Sequence, residues 1–334
     1  MRILGIETSC DETSASVLDN EVVLSNIISS QLVHSRFGGV VPELASRAHL
    51  RLLIPVVKQA LETAKTNLEQ IDGIAVTYGP GLVGALLVGL NFAKGLSVSL
   101  KKPFVGVNHM EGHIYGNLLS QKNVKFPIMF LIVSGGHTML VLMQDYLKYK
   151  ILGTTRDDAV GEAFDKTAKI LKLGYPGGPI IDKLAEDGDP KFVKFPQAFV
   201  KDDHFDFSYS GLKTAVLTFL NKHEDDYIKA NMSSICASFR LAAVEVLVKK
   251  TLRAAKKYKV QAVAVAGGVA ANKLLRTMLR DHSVKYGFDF YEPEFQFCTD
   301  NAAMIARTGL EYLKRNKPSA QDLNAYPSLK LTSL

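Results

Sequence analysis

A short sequence pattern that occurs twice decides the fold of this chain. In each copy an apolar run is followed by a polar turn and a second apolar run. Residues 3–19 read ILGIETSCDETSASVLD. Residues 129–142 repeat the pattern as MFLIVSGGHTMLVL. Each stretch predicts a pair of antiparallel strands joined by a turn of small residues. Two such hairpins, far apart in the chain, predict a duplicated domain whose two turns face one another across a cleft.

Strand and helix signals alternate through the rest of the chain. Short apolar runs at 73–77, 104–107 and 262–265 predict buried strands, and each is followed by a helical segment. An amphipathic helix is predicted from about Glu43 to Ala64, with a kink or break at Pro55. Such alternation favours an α/β architecture.

The most apolar window, residues 81–100, has the length of a membrane span. Asn91 and Lys94 interrupt it and glycine is frequent, so a buried helix is predicted instead. The first residues enter the polar run at 7–9 before a long apolar segment forms, which favours a strand over a signal peptide. We therefore expect no membrane association and a cytoplasmic location.

The composition is that of a globular protein. The 334 residues, 47% of them hydrophobic, suffice for two domains, and the absence of a Pro/Ser-rich linker predicts that they are in close contact. Three scattered cysteines do not make a disulfide framework, which fits a reducing cytosol. A net charge of +7 and a pI near 9.1 favour an anionic partner such as nucleic acid. The basic cluster from Lys249 to Lys259 is equally typical of a solvated helix face.

Residues 108–113, NHMEGH, carry two histidines four positions apart. On a helix, His109 and His113 would lie on one face, where both can bind one divalent metal ion. The same spacing also occurs in packed or solvated histidines, and Glu111 does not match the His-Glu-x-x-His pattern of metallopeptidases. A third ligand must come from elsewhere. Asp300 is the best candidate, unless it is only the N-cap of the helix that follows.

Glycine turns that follow strands predict where a nucleotide binds. Residues 134–136 in the second hairpin and 267–268 after a strand offer backbone N–H groups to phosphate oxygens. The rigid corner at 175–179 precedes Asp182, and carboxylates beside such a corner can accept hydrogen bonds from ribose hydroxyls. Gly-Gly turns without ligands are common, and the acidic residues of 157–166 also fit a solvated helix face.

Together these motifs closely resemble the tRNA N6-adenosine threonylcarbamoyltransferase family, called TsaD in bacteria. Each motif is modest alone, but the ordered set is specific, and residues 110–112 between the histidines are similar to the bacterial branch. The matching stretches run along nearly the whole chain, at 7–14, 37–49, 79–89, 108–113, 133–138, 157–166, 176–179, 207–216, 266–272 and 298–306.

The resemblance implies an actin-like, sugar-kinase-type (ASKHA) fold, with two ribonuclease-H-like domains around a nucleotide cleft. The first domain would comprise residues 1–128, completed by the C-terminal helix at about 300–334, and the second residues 129–299. The resemblance also implies a reaction. The threonylcarbamoyl group would pass from threonylcarbamoyl-adenylate to N6 of the adenosine just 3′ of the anticodon in tRNAs that read codons beginning with A, releasing AMP.

By the same resemblance, a divalent metal ion, Fe²⁺ or alternatively Zn²⁺, would bind to His109, His113 and Asp300 and act as a Lewis acid on substrate oxygens. Asp11 and Glu12, at the first hairpin turn, are candidates for catalytic proton handling or for organising the acceptor. They are also typical of turn residues that hydrogen-bond their own backbone. The residues implied to contact the threonylcarbamoyl-phosphate part are Ile132, Val133, Ser134, Gly135 and Gly136. Those implied to hold the adenosine are Asp165, Gly178, Asp182 and Asn272.

The partners implied are tRNA, threonylcarbamoyl-adenylate, a paralogous (TsaB-like) subunit and a small (TsaE-like) ATPase. Three rival interpretations remain. A metallopeptidase would cleave peptides, but the His-Glu-x-x-His pattern is absent. An ATP-dependent small-molecule kinase of the same fold would leave the histidine pair unexplained. A non-catalytic nucleotide-binding scaffold would be favoured by loss of the His109, His113 and Asp300 set, yet all three are present.

Overall fold

The computed structural model describes residues 1–31, 40–200 and 202–333. The chain forms two compact units, each built on its own five-stranded sheet. Unit 1 comprises Met1–Lys122 and Pro293–Leu334, and unit 2 comprises Asn123–Glu292. The borders predicted from the sequence, after residues 128 and 299, lie a few residues C-terminal to these.

The strands and helices of the described residues follow one another in an α/β order. They are β1 (Arg2–Glu7), β2 (Glu12–Asp19), β3 (Val22–Ser30), α1 (Pro42–Thr63), β4 (Gly73–Gly79), α2 (Val83–Leu100), β5 (Phe104–Asn108), α3 (His109–Leu118), β6 (Ile128–Val133), β7 (Thr138–Asp145), β8 (Lys148–Thr154), α4 (Val160–Ile170), α5 (Gly177–Leu184), α6 (Ser210–Leu220), α7 (Asp225–Ala230), α8 (Met232–Lys257), β9 (Ala262–Ala266), α9 (Lys273–Lys285), β10 (Asp289–Tyr291) and α10 (Ala302–Lys314).

The two sheets have the same strand order. It is β3-β2-β1-β4-β5 in unit 1 and β8-β7-β6-β9-β10 in unit 2. In each sheet a hairpin is extended on one side by a third antiparallel strand and on the other by two parallel strands. The duplication predicted from the repeated hairpins is confirmed. The third strands, β3 and β8, were not predicted because exposed polar residues interrupt their apolar pattern.

The sheet of unit 1 is covered on both faces. Leu4 and Ile6 of β1 pack with α1 and α2, whereas Ile3 packs with α10, because successive side chains of a strand point to opposite faces. Gly5 lies on the α10 side, where a Cβ atom would clash with the carbonyl oxygen of Ala302. This glycine lets the N-terminal end of α10 approach β1 closely, and so places the residues just before α10 beside the sheet.

Two helices of unit 1 qualify the sequence predictions. Helix α1 runs through Pro55 without the predicted break. Pro55 and Arg51, whose carbonyl would lose its hydrogen-bond donor, are both exposed, so that water can satisfy the carbonyl. Helix α2 is long and apolar enough to cross a membrane by length and composition alone. Its residues between Ala85 and Ser97 include a row of buried side chains, which pack against the rest of unit 1. The motif residues 37–39 lie outside the described residues.

The C-terminal segment covers the edge strand β5. The backbone N–H of Ser319 donates to the carbonyl oxygen of Phe104 at 2.8 Å, and the Ser319 hydroxyl accepts from the N–H of Gly106 at 2.9 Å. Further on, the Asn108 side chain donates to the carbonyl oxygen of Lys330 at 3.1 Å. The segment therefore hydrogen-bonds polar groups that an edge strand otherwise leaves open. No sequence pattern predicted this role for residues after 318.

Unit 2 has one large hydrophobic core. The face of helix α4 that was predicted to be buried packs into this core. Val160, Phe164, Thr167 and Leu171 are all buried, which confirms the helical periodicity. The helix begins at Val160, later than the predicted start at 156. The helix predicted from about 228 to 257 is divided into α7 and α8.

Candidate metal centre and nucleotide pocket

The histidine pair lies on α3, which begins directly at the carboxyl end of β5. The Asn108 side chain is the N-cap and accepts from the N–H of Met110 at 2.9 Å, which defines where the helix starts. His109 and His113 are both buried, and their ring centroids are 4.7 Å apart. The predicted placement of both imidazoles on one helix face is thus observed.

Asp300 is not the N-cap of α10. The neighbouring Asn301 takes that position, with its side-chain oxygen 3.1 Å from the N–H of Met304. The Asp300 carboxylate is directed to the histidines instead, and its Oδ1 lies 3.3 Å from Nε2 of both His109 and His113. The N-cap alternative considered for Asp300 therefore does not apply, because the adjacent asparagine fills it.

A glycine between the two histidines allows this approach. A Cβ atom at Gly112 would lie 2.8 Å from Cδ1 of Ile305 in α10. Real Cβ atoms do not come this close to another carbon, so a larger residue would force the end of the Ile305 side chain to move. The glycine in NHMEGH thus lies in the packing contact between α3 and α10.

The three side chains fit a divalent metal ion. Their ligand atoms all lie within 4.8 Å of one another, and the 3.3 Å separations match the roughly 3.0 to 3.5 Å expected between ligands at Fe–N, Zn–N or Zn–O bond lengths. Among the described residues, neither ring nitrogen of the buried His113 makes a well-formed hydrogen bond, and Nε2 faces Asp300 Oδ1 at 3.3 Å. A buried nitrogen without a good hydrogen bond is costly unless something coordinates it. Nitrogen and carboxylate ligands suit both Fe²⁺ and Zn²⁺.

Glu7 supports His109 from behind. Its Oε2 lies 3.1 Å from Nδ1 of His109 and accepts the Thr77 hydroxyl at 2.5 Å, while Oε1 accepts the N–H of Ser9 at 2.5 Å. A carboxylate on Nδ1 sets the imidazole tautomer, so that Nε2 is the nitrogen left to face a metal ion. Glu7 is fully buried at the end of β1, on the face that α10 covers.

The carboxylates of this cluster stabilise positive charge. Burial opposes ionisation of Asp300 and Glu7, but His109, with His113 at Asp300 and Thr77 at Glu7, lowers the pKa of both carboxyl groups. Burial likewise opposes charge on His109, yet Asp300 and Glu7 raise its pKa well above the ordinary value. The buried carboxylate of Glu7 and the partly exposed carboxylate of Asp300 thus stabilise one positive charge between them, and a divalent cation is stabilised by the same kind of environment.

The Glu111 side chain contacts helix α10. Its Oε2 accepts a hydrogen bond of 3.0 Å from the hydroxyl of Tyr312 on α10. In a metallopeptidase the corresponding carboxylate would have to act as the general base beside the metal. The geometry therefore agrees with the absence of the His-Glu-x-x-His pattern.

Asp11 and Glu12 lie where the sequence places them, at the turn between β1 and β2. Burial, followed by the charges of Asp300, Asp11 and Glu7, raises the pKa of Glu12 to about 9. At neutral pH this carboxyl group accordingly keeps its proton and can donate a hydrogen bond. A cation beside Asp300 would offset part of this shift.

Unit 2 contains a cavity of about 540 Å³. The predicted substrate-binding residues that line it are Gly135, Asp165, Gly178, Asp182 and Asn272. The cavity wall is built from separate parts of the chain. They include the turn after β6 and the helices α4, α5 and α9. Its volume falls in the usual range for small-molecule sites, roughly 300 to 1,000 Å³.

The polar residues of the pocket are held by hydrogen bonds of their own. Asp165 Oδ1 accepts the N–H of Gly177 at 2.7 Å, at the start of α5. Asn272 is the N-cap of α9, where its Oδ1 accepts from Leu275 N–H at 2.9 Å, and its Nδ2 donates to Asp182 Oδ1 at 2.9 Å. These hydrogen bonds restrict the orientation of both side chains at the cavity wall.

Four of the predicted substrate residues are placed differently. Ile132 and Val133 are fully buried in β6, and neither they nor Ser134 and Gly136 belong to the cavity lining. The Ser134 hydroxyl accepts from the N–H of His137 at 3.1 Å and closes the hairpin turn. That these residues contact the threonylcarbamoyl-phosphate part of the substrate stays a prediction.

Two well-placed residues escaped the sequence analysis. Glu7 lies within one of the matching motifs, but its contact with His109 joins β1 to α3, which are about 100 residues apart in the sequence. Arg240 in α8 donates to Oδ1 of Asp182 at 2.8 Å, and nothing in the local sequence of α8 signals this contact. Periodicity and turn signals are local and do not report such pairs.

Comparison with known proteins identifies relatives over the whole chain. A sequence model of the tRNA N6-adenosine threonylcarbamoyltransferase (TsaD) family matches residues 22–307. The curated protein named tRNA N6-adenosine threonylcarbamoyltransferase from Clostridium botulinum (strain 657 / Type Ba4) is 53% identical over 334 residues, covering 99% of this chain and 98% of the relative.

Solved structures share the fold at low sequence identity. Full-length HypF, in its phosphate- and nucleotide-bound form, aligns with a TM-score of 0.64 and 13% identity over 95% of this chain and 47% of that protein. Component A of (R)-2-hydroxyglutaryl-CoA dehydratase from Acidaminococcus fermentans aligns with a TM-score of 0.56 and 14% identity over 94% and 99%. The predicted actin-like, sugar-kinase-type fold is confirmed.

Proposed function

This chain belongs to the tRNA N6-adenosine threonylcarbamoyltransferase family, and we propose that it catalyses transfer of the threonylcarbamoyl group from threonylcarbamoyl-adenylate to N6 of an adenosine in tRNA. The acceptor is the adenosine just 3′ of the anticodon in tRNAs that read codons beginning with A. The observation that carries the proposal is the identity to a relative of that name over nearly the full length of both proteins.

The proposed reaction is an acyl transfer. The N6 amine attacks the carbamoyl carbon and a new C–N bond forms. The bond between that carbon and the phosphate oxygen breaks, AMP leaves with the electron pair, and N6 gives up one proton. Because AMP is a good leaving group, the main task of the protein is to orient the amine against the carbonyl group.

A divalent metal ion, with Fe²⁺ the first choice and Zn²⁺ the second, is proposed to bind to His109, His113 and Asp300. When bound, it would supply Lewis-acid polarisation of substrate oxygens. Support comes from the converging ligand atoms and from His113, whose ring nitrogens make no well-formed hydrogen bond among the described residues. Glu7 would orient His109. Asp11 and Glu12 would handle a proton or organise the acceptor.

The pocket of unit 2 is proposed to hold the adenosine of the adenylate. Asp165 and Asp182 supply carboxylate oxygens for ribose hydroxyls, and Gly178 and Gly135 leave room for close approach. The predicted partners remain part of the proposal: tRNA, a paralogous (TsaB-like) subunit and a small (TsaE-like) ATPase. A cytoplasmic location follows from action on tRNA and from three cysteines that form no disulfide.

The test is transfer of labelled threonine from threonylcarbamoyl-adenylate to unmodified tRNA, with the partner proteins of a related complete system supplied. We expect modified tRNA and release of AMP in equal amounts. The same preparation should neither cleave peptides nor phosphorylate small acceptors with ATP. Failure to transfer, in an assay where the related complete system succeeds, would reject the proposal and favour the kinase or scaffold interpretation.

The exposed end of α8 is proposed to contact tRNA phosphates. Lys249 is paired with Glu245 at 2.6 Å, and Lys250 is buried with its ammonium group on the carbonyl oxygen of Asp206. Lys256 and Lys259, in contrast, are exposed, and Lys256 lies over an aromatic ring, that of Tyr286. The basic cluster predicted at 249–259 thus includes both cations that hold the structure together and cations that are exposed.

Replacing Lys256 and Lys259 together by glutamate should weaken tRNA binding. Each lost phosphate contact lowers the slope of log affinity against log salt by roughly one unit. The measurement is a salt titration of tRNA affinity by fluorescence anisotropy. The control is Lys191→Glu with Lys194→Glu, which changes net charge equally at another exposed part of unit 2. Equal salt slopes for both variants and wild type would remove α8 from the docking surface.

A further inference from the structure

Asp182 joins three helices of unit 2 at the wall of the pocket. It lies in the last turns of α5, and its Oδ1 accepts two hydrogen bonds, one from Arg240 Nη1 at 2.8 Å and one from Asn272 Nδ2 at 2.9 Å. Arg240 belongs to α8, and Asn272 is the N-cap of α9. One carboxylate oxygen therefore links these three helices.

Arg240 lies behind Asp182. It is absent from the residues that line the cavity, and only 13% of its side chain is exposed. Besides Oδ1, its guanidinium group donates to the carbonyl oxygens of Asp182 at 3.0 Å and Ala185 at 2.9 Å. The arginine thus holds both the side chain of Asp182 and the end of the helix that carries it.

The second carboxylate oxygen remains free for a ligand. Within the part of the chain that the structure describes, Oδ2 of Asp182 makes no hydrogen bond, while Oδ1 is occupied by two donors. An ionised carboxylate has lone pairs on both oxygens and accepts hydroxyl groups readily. With Oδ1 tied to Arg240 and Asn272, rotation of the carboxylate is restricted and Oδ2 is the oxygen available to the pocket.

We propose that Arg240 is a positioning residue for nucleoside binding: it holds Asp182 so that Oδ2 accepts a hydroxyl group of the bound nucleoside. The inference rests on the proposed function, which assigns adenosine to this pocket. Arginine suits the task because its planar guanidinium group binds one carboxylate and two carbonyl oxygens at once. Lysine, a point charge on a flexible chain, can replace the charge without replacing the geometry.

The test is the affinity for AMP, measured by calorimetry on the full chain. Hydrogen bonds to charged groups contribute about 1.5 to 3 kcal/mol, so Arg240→Met should raise the AMP dissociation constant by about 10- to 100-fold. Arg240→Lys should recover part of the loss. The matched control is Lys169→Met, which removes an exposed cation from α4 outside the cavity lining and should leave AMP affinity unchanged.

Two further readouts separate positioning from a merely structural role. In the transfer assay, Arg240→Met should raise KM for threonylcarbamoyl-adenylate and leave kcat near the wild-type value, as expected for lost uniform binding. Asp182→Asn should also weaken AMP binding. The double variant should bind AMP about as weakly as Asp182→Asn alone, because the two residues act through one contact.

The outcomes distinguish this inference from the proposed function. Wild-type AMP affinity in a folded Arg240→Met variant, or additive effects in the double variant, would overturn the role of Arg240 and leave the transferase proposal intact. Wild-type protein that transfers threonylcarbamoyl but shows no AMP binding would overturn the pocket assignment, and the role of Arg240 with it. Coupled loss of AMP binding without any transfer activity would support Arg240 and reject the transferase proposal.

Discussion

Replacing His109 and His113 together by alanine is expected to reduce threonylcarbamoyl transfer by about 10³-fold, since a Lewis acid contributes several kcal/mol and each 1.4 kcal/mol is about tenfold in rate. The same variant should lose metal binding. Both imidazoles face Asp300 Oδ1 at 3.3 Å, so their removal leaves a single carboxylate ligand. The measurements are labelled-threonine transfer and metal content by mass spectrometry.

Controls must separate the metal centre from the fold. His223 and His282 each place Nδ1 2.8 Å from a helix carbonyl oxygen four residues earlier, and replacing both by alanine should leave transfer and metal content unchanged. Asp300→Asn tests the same centre with less change of shape and should also lose metal. A folded His109→Ala, His113→Ala variant that transfers at the wild-type rate would eliminate the proposed metal centre.

Replacing Glu7 by glutamine is expected to weaken metal binding by about 10- to 100-fold, the usual effect of losing a carboxylate behind a ligating histidine. Glutamine keeps the size of the side chain but removes the charge that lies 3.1 Å from His109 Nδ1. The tautomer and orientation of the imidazole are then less well defined. Competition with a chromophoric chelator, without substrate, measures the affinity directly and does not depend on catalysis.

A second buried carboxylate in unit 1 provides the control for Glu7. Glu311 is buried and lies 2.6 Å from Arg307, in a cluster within α10. Glu311→Gln should lower the free energy of unfolding, because it removes the 2.6 Å ion pair of the buried Arg307 guanidinium group, but it should not alter metal affinity. Equal metal affinity for Glu7→Gln and wild type would show that Glu7 does not orient the metal ligand.

Local sequence patterns predicted much of the framework. The repeated hairpins became β1/β2 and β6/β7, and the final helix was predicted at 302–314, where α10 lies. These segments have strong apolar periodicity and clear turn or cap residues, so local preference and tertiary packing agree. Strands β3 and β8 lack that periodicity, and Pro55 was expected to interrupt α1 although its exposed position lets the helix continue.

The sequence by itself determined the duplicated α/β fold, the histidine pair on one helix face and, through the ordered motifs, the family. Those properties depend on residues close together in the chain, whose spacing alone specifies strand, turn and helix. Only the tertiary structure excluded the N-cap role of Asp300, paired Glu7 with His109 and placed Arg240 behind Asp182. Such contacts join residues far apart in sequence, and their geometry depends on how helices and strands pack, which no local pattern encodes.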